Sequence, residues 1–260
     1  MTSNLPSISL KQIEILTLLY RFRFLDRTHI QAFLKHKDRK RILSWLKDLR
    51  EKQYVNWQYD ATDFAAKTKP AIYYLNLNGI RYLRSLNEYP SKELRKRYKE
   101  STRSQGFIDR CLLIADCCAT LLAQNSTDIF YEIITAADYA DQDINGSLDR
   151  LNPHLFFIKQ QNKLETGYLF EIFDIHLPRY QFRKRLNDYA NYLVYEDWND
   201  SLNEVPIILF VCMNTADLLY LERRMLKVLE DEDIEDYIIR LTTVERLKTT
   251  GITGAIWEEI

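Results

Sequence analysis

The stretch Asp38-Arg-Lys-Arg-Ile-Leu-Ser-Trp-Leu-Lys-Asp-Leu-Arg-Glu-Lys52 decides how the first part of this chain folds. Asp38 is a favourable N-cap residue, and the apolar residues after it recur at helical spacing on one face. This pattern predicts a helix from about Asp38 to Lys52 that buries one side and exposes the other. The buried side is formed by Ile42, Trp45, Leu46 and Leu49.

Two helices are expected before this one, and two strands after it. Ser9 and Gln12 have the spacing of a capping box that opens the first helix, and Asp26 is an N-cap for the second. Tyr54–Tyr59 and Ile72–Leu77 are rich in β-branched and aromatic residues, which predicts a hairpin. Three helices followed by a hairpin is the order of a winged helix-turn-helix, and we assign that domain to residues 8–87.

The position of the cations in this domain predicts binding to double-stranded DNA. In a helix-turn-helix, the helix predicted at Asp38–Lys52 would enter the major groove, where residues near its N-terminus reach bases and phosphates. Arg39, Arg41 and Ser44 are candidates for base contacts. The alternative is that the cations only solvate an exposed helix face. The predicted DNA-binding residues are Lys37, Arg39, Lys40, Arg41, Ser44 and Lys47 on the helix, and Lys67 and Lys69 in the hairpin loop.

The charge of the whole chain supports this prediction. Residues 1–105 carry 22 Lys and Arg against 10 Asp and Glu, a formal charge of +12. Residues 106–260 carry 14 against 27, a formal charge of −13, so the net charge of −1 hides a basic and an acidic half. A basic domain is attracted to DNA because each phosphate that it neutralises releases condensed counterions. The acidic half is expected to face protein, solvent or a cation.

A basic bridge, residues 88–105, joins the two predicted domains. Six of the thirteen residues in Ser91–Arg103 are cationic, so the bridge could be a flexible linker, a connecting helix or a segment that follows the DNA backbone. The helix predicted after it, Phe107–Gln124, is apolar nearly all round, which is typical of a helix in a core or a subunit interface. It is our candidate interface for a homodimer, because winged-helix proteins often bind paired half-sites.

Several protein classes are disfavoured by the sequence. No apolar stretch approaches the roughly 20 residues that cross a bilayer, and the N-terminus lacks signal-peptide features, so we expect a cytoplasmic protein without membrane contact. There is no GxxxxGK[ST] loop for ATP and no His-x-His metal site of a relaxase. We expect no cofactor. The cysteines lack paired spacing and are expected to be buried apolar residues: Cys111, Cys117, Cys118 and Cys212.

Residues 106–260 are predicted to form a mixed α/β domain, because apolar strands alternate with amphipathic helices. The predicted strands are 129–135, 155–159, 168–175, 206–213 and 237–241, and the predicted helices are 180–195 and 215–229.

Short motifs in this half, together with the winged helix, resemble the replication-relaxation family of plasmids, phages and conjugative elements. The motifs are Leu151-Asn-Pro-His154, Phe170-Glu-Ile-Phe-Asp174, Lys184-Arg-Leu-x-x-Tyr189, Ile207-Ile-Leu-Phe-Val211, Thr242-Thr-x-x-x-Leu247 and Gly254-Ala-Ile-Trp257. The resemblance covers nearly the whole chain. It implies a DNA-binding accessory protein that acts in plasmid replication, DNA transfer (conjugation) or transcription regulation. A relaxase or a replication initiator could be its protein partner.

The second half of that family is similar to the PD-(D/E)xK nuclease fold. An active nuclease of this type needs Pro-Asp on one strand and Asp/Glu-x-Lys on the next, because two carboxylates hold Mg²⁺ and the lysine assists the attacking water. In this chain Pro153 is followed by His154, and Phe173 stands two residues after Glu171. The first carboxylate and the lysine are therefore missing, which implies a degenerate nuclease core.

We accordingly expect no enzymatic activity and no bound metal. The weak catalytic candidates are Glu171, Asp174 and His154. A rewired metal site stays open as an alternative, because Asp174 and His176 share a strand face and Asp149 is near in sequence. The other interpretation is that Glu171 and Asp174 are structural polar groups near a sheet edge, or contact a partner.

Overall fold

The computed structural model describes residues 5–62, 64–141, 146–173, 178–195 and 204–260. The chain divides into two compact units, Met1–Ala119 and Thr120–Ile260. Each contains helices and a sheet, so the expected mixed α and β class is confirmed. Within the described part of the chain, no helix has the length and apolar character needed to span a bilayer.

The first unit opens with helices that alternate with short strands. Its helices up to residue 85 are α1 (Leu10–Phe22), α2 (Arg27–Phe33), α3 (Arg39–Glu51), α4 (Phe64–Thr68) and α5 (Leu77–Ser85). Its strands are β1 (Leu25–Asp26), β2 (Val55–Gln58) and β3 (Ile72–Leu75), arranged antiparallel in the order β1-β3-β2. The predicted helices and hairpin strands are confirmed in type and order. The short elements β1 and α4 were not predicted.

The predicted capping residues begin these helices. The Asp38 carboxylate accepts backbone N–H bonds from Lys40 at 2.8 Å and Arg41 at 3.3 Å, which satisfies donors that have no partner within the helix. The Gln12 side chain accepts from the Ser9 backbone N–H at 2.9 Å, as in a capping box. Ile42, Leu46 and Leu49 of α3 are fully buried. One face of α3 is thereby fixed in the core and the opposite face is left to solvent.

Residues after α5 complete the first unit and lead into the second. They form α6 (Ser91–Lys96), a 3₁₀ turn (Arg97–Thr102) and α7 (Gln105–Ala123). In the first part of α7, Ile108 and Cys111 pack with Phe24 and Tyr74. The division between the units lies inside α7, whereas the sequence-based domain start is residue 106. All four cysteines are free and buried, as expected.

The second unit is built on a six-stranded sheet in which neighbouring strands follow one another in sequence. The strands are β4 (Ile129–Thr135), β5 (Leu155–Gln161), β6 (Leu164–Phe173), β7 (Ile207–Cys212), β8 (Ile238–Thr243) and β9 (Glu258–Glu259). The pairs β6–β7 and β7–β8 are parallel, and the others are antiparallel. The helices are α8 (Ala136–Asp141), α9 (Gly146–Leu151), α10 (Arg179–Val194), α11 (Thr215–Asp231) and α12 (Val244–Thr250).

The two faces of this sheet have different environments. On one face, Phe156, Leu169, Phe210 and Leu241 join residues of α10 and α11 in the main core of the unit. Every residue of β7 is buried, as expected for a central parallel strand. On the other face, Leu209 and its neighbours line a cavity together with residues near the chain's C-terminus.

Candidate nucleic-acid interface and the Glu171 cluster

The start of α3 presents a group of cations to solvent. Lys37, Arg39, Lys40 and Arg41 are all exposed, and we call them the α3 cation cluster. Among the described residues, no carboxylate lies within salt-bridge distance of these four side chains. Their charge is therefore available to an outside anion.

Two further predicted residues lie on the same helix. Ser44 is exposed, one turn after the start of α3. Lys47 is also exposed, but its Nζ is 3.8 Å from a carboxylate oxygen of Glu51. A surface pair of this kind is weak, so Lys47 is partly neutralised and still accessible.

The loop between β2 and β3 adds cations and exposed aromatic rings. Lys67 and Lys69 are exposed, as the sequence predicts for a loop tip. Phe64 is 84% exposed, and Trp57 lies under the Arg50 guanidinium, 3.7 Å from the ring centroid. Sequence reasoning did not include these aromatic residues. The spacing of Trp57 and Tyr59, two residues apart on one strand, was the available signal, because alternate residues share a strand face.

The cations of the basic bridge are arranged differently. Arg97 is 3% exposed and donates to the Tyr20 carbonyl at 2.8 Å. Glu100 is 1% exposed and accepts from Arg23 at 2.8 and 3.0 Å, with Arg103 at 3.4 Å. We call these residues, with Glu93, the bridge network. Burial is the main reason why the pKa of Arg97 lies below its ordinary value.

In the second unit, Glu171 lies at the centre of a buried polar cluster. Its carboxylate accepts from Arg185 Nε at 2.9 Å and Nη2 at 2.8 Å, and from the Tyr189 hydroxyl at 3.1 Å. Burial alone would raise the pKa of Glu171, but His154, Arg185 and Tyr189 together hold the pKa below its ordinary value. Glu171 lies on an interior strand of the sheet, one residue beyond the end of the β5–β6 pairing.

His154 contacts the same cluster. Its backbone N–H donates to Glu171 at 3.3 Å, and its Nδ1 accepts from the Ile172 backbone N–H at 3.0 Å. His154 and Glu171 are the positions at which an active nuclease would carry its two carboxylates. The pairing of β5 with β6 brings these two residues together.

Hydrogen-bond donors from Arg185 and Tyr189 occupy both oxygens of the Glu171 carboxylate. Arg185, on α10, also donates to the carbonyls of Leu151 and Asn152, so it joins β6 to the end of α9. Sequence reasoning missed Arg185 and Tyr189 as partners, although their spacing of four within the motif Lys184–Tyr189 places them on one helix face.

No group of three metal-ligating side chains occurs in the part of the chain that the structure describes. Asp174 and His176 lie outside the described residues. Asp149 belongs to α9, but its side chain is likewise outside the description. The rewired metal site therefore stays an untested prediction.

Comparison with known protein families matches residues 16–201 to the family described as Replication-relaxation. The chain belongs to the replication-relaxation family. The resemblance seen in the sequence is confirmed, although the motifs at 207–257 lie beyond the matched residues. No curated protein matches this family member.

Among solved structures, the chain is similar to the restriction endonuclease FokI at 14% identity, with a TM-score of 0.34. The match covers 92% of this chain and 43% of the FokI chain. The chain is also similar to a structure of FokI bound to DNA, at 14% identity and a TM-score of 0.32. That match covers 93% of this chain and 44% of the FokI chain. The family member thus spans less than half the length of these structures.

Proposed function

We propose that this replication-relaxation family protein is a double-stranded DNA-binding accessory or regulatory protein of a mobile genetic element. It would act in plasmid replication, DNA transfer or their transcriptional control. The observation that carries the proposal is the α3 cation cluster. Four exposed cations without a described carboxylate partner precede and begin a helix whose opposite face is buried.

The arrangement of the first unit supports a winged helix-turn-helix over residues 8–87. In this proposal α3 is the recognition helix, and the hairpin β2–β3 with α4 is the wing. Arg39, Arg41 and Ser44 would face the bases, and Lys40 would contact a phosphate. Lys67 and Lys69 would reach the adjacent backbone, because phosphate contacts of this kind fix the orientation of a protein on duplex DNA.

The second unit is proposed to dock a protein partner, and α7, within which the two units divide, to dock a second copy of the chain. A homodimer through residues 107–124 would place two winged helices on paired half-sites. A relaxase or a replication initiator of the same element is the proposed protein partner, since the acidic half would be repelled by DNA. We propose a structural role for Glu171, because Arg185 and Tyr189 already bind its carboxylate.

A mobility-shift titration of the full chain on duplex DNA from the element tests the proposal. We expect Lys40→Ala to weaken binding about tenfold, because it removes one charge-assisted contact to phosphate. The control is Lys92→Ala, which removes an exposed lysine outside the winged helix and should leave affinity within about twofold. Absence of salt-dependent binding to any such duplex would refute the proposed function.

A further inference from the structure

The second unit contains a cavity that the DNA-binding proposal does not use. It has a volume of about 350 Å³ and lies on the sheet face opposite α10 and α11. Small-molecule sites usually measure about 300 to 1,000 Å³, so the cavity is large enough for a small ligand. Its walls include Gly254 and Trp257, which belong to the sequence motif that the DNA-binding function leaves without a role.

Aromatic rings from neighbouring strands form one wall. The rings of Phe157 and Tyr168 stack at 4.7 Å with an interplanar angle of 6°, and Tyr131 lies 6.2 Å from Phe157. Trp257 adds a fourth ring, fixed by a hydrogen bond from its indole N–H to the Ile252 carbonyl at 2.9 Å. Phe157 and Tyr131 are buried, so the half-buried Tyr168 and Trp257 present the apolar ring surface that suits a planar ligand such as an unpaired base.

The polar groups of the cavity favour an anion. Its lining contains Lys159 and Arg240 and no Asp or Glu, although residues 106–260 carry 27 acidic against 14 basic residues. Among the described residues Lys159 has no carboxylate partner, and Arg240 uses its Nε for Glu259 at 2.9 Å. Tyr131 and Tyr168 also line the cavity, and their hydroxyls are protonated near neutral pH and can donate.

We propose that this cavity binds a nucleotide, with the base against the aromatic wall and the phosphate at Lys159 and Arg240. Stacking on protein aromatic rings requires an unpaired base, so the site is distinct in chemistry from the duplex surface on α3. The ligand could be a free mononucleotide or one nucleotide of a single strand. Both sources share the same combination of base and phosphate.

Calorimetric titration of the full chain with each of the four deoxynucleoside monophosphates tests the site. We expect at least one to bind with a dissociation constant between about 10 µM and 1 mM, which is the range expected for a ligand of this size. The matching deoxynucleoside without phosphate should bind about tenfold more weakly. A 5′-phosphorylated tetranucleotide that binds more tightly than any monophosphate identifies a strand as the source, and equal affinity identifies the free nucleotide.

Substitutions locate the binding. Lys159→Gln should weaken monophosphate binding about tenfold, whereas Lys163→Gln, an exposed lysine on the β5–β6 turn, should leave it unchanged. Bound nucleotide should also quench tryptophan fluorescence, and Trp257→Phe should abolish that quenching while circular dichroism shows an intact fold. Absence of binding by all five nucleotide probes, or an equal effect of the two lysine variants, would overturn the proposal.

Two of these variants separate this proposal from the duplex-binding proposal. Lys40→Ala should lose duplex affinity and keep monophosphate affinity, and Lys159→Gln should do the reverse. If Lys40→Ala weakens both by the same factor, the nucleotide binds at the α3 cation cluster and the cavity proposal is wrong.

Discussion

The α3 cation cluster and the basic bridge are both rich in cations but differ in what those cations contact. The cluster is exposed, and its four cations have no described carboxylate partner. In the bridge, Lys96 and Arg97 lie near Glu93, and Arg103 lies near Glu100. A run of cations in a sequence therefore measures formal charge, whereas attraction to DNA depends on the charge left after internal pairing.

The bridge network should contribute more to stability than any exposed pair. Glu100→Gln removes the acid that faces Arg23 and Arg103, with Arg97 also close. We expect a loss of about 3 kcal/mol in the free energy of unfolding, because the partly buried Arg23 and Arg103 lose the counter-charge of Glu100. Urea titration followed by circular dichroism measures this loss.

The control for that change is Glu88→Gln, which removes an exposed carboxylate at the end of the same stretch and should cost less than about 0.5 kcal/mol. Equal losses in the two variants would mean that the buried Glu100 contributes no more to stability than the exposed Glu88.

The Glu171 cluster offers a second buried pair in the other unit. Glu171→Gln should lower the free energy of unfolding by about 3 kcal/mol, because Arg185 then lacks its anion. The pKa of Glu171 is lowered by folding, so its contribution is present above the ordinary value of 4.5 and is lost as pH falls below it. The difference between wild type and variant should therefore shrink in acid.

The same variant tests the nuclease alternative. We expect neither protein to nick supercoiled plasmid in Mg²⁺ or Mn²⁺. Metal-dependent nicking by the wild type that Glu171→Gln abolishes would contradict a structural role.

A smaller effect is expected at His29, a buried residue between two acids of the first unit. Its Nε2 is 2.8 Å from Asp116, and its Nδ1 is 3.0 Å from Asp26. Burial would lower the pKa of His29, but Asp116 and Asp26 raise that pKa to about 9. Its stabilising contribution is thus fully present below pH 6.5 and is lost as pH rises through 9.

We expect this contribution to be about 1 to 2 kcal/mol, because Asp116 is largely exposed and solvent screens the pair. His29→Gln should remove the slope of stability between pH 6.5 and 9. A slope that persists in the variant would assign the titration to another group.

The sequence predicts the elements of this fold better than the contacts between them. The helix at Asp38–Lys52 and the strand Ile129–Thr135 are recovered because their periodicity and capping signals are local. The short spacing of Glu93 and Arg97 could have indicated a local pair. The Arg23–Glu100 contact could not be predicted, because it joins residues 77 positions apart.

The Glu171 cluster shows the same limit. The motifs around His154 and Glu171 are visible in the sequence, and strand pairing brings them together. Nothing in their spacing indicates that Arg185, from a helix beyond β6, binds both carboxylate oxygens. The cavity beside Trp257 could not be predicted from the sequence either, because it depends on which sheet face the C-terminal residues cover.

Duplex affinity as a function of salt tests the central claim most directly. Two double variants change the net charge equally: Lys37→Gln with Lys40→Gln in the α3 cation cluster, and Lys96→Gln with Arg103→Gln in the bridge, whose cations face Glu93 and Glu100. Each phosphate contact contributes about 0.9 to the slope of log affinity against log salt. We predict that the first double variant lowers the slope by about 1.8 and that the second leaves it unchanged. Equal reductions would contradict the account, because binding would then follow total charge instead of the unpaired cations on α3.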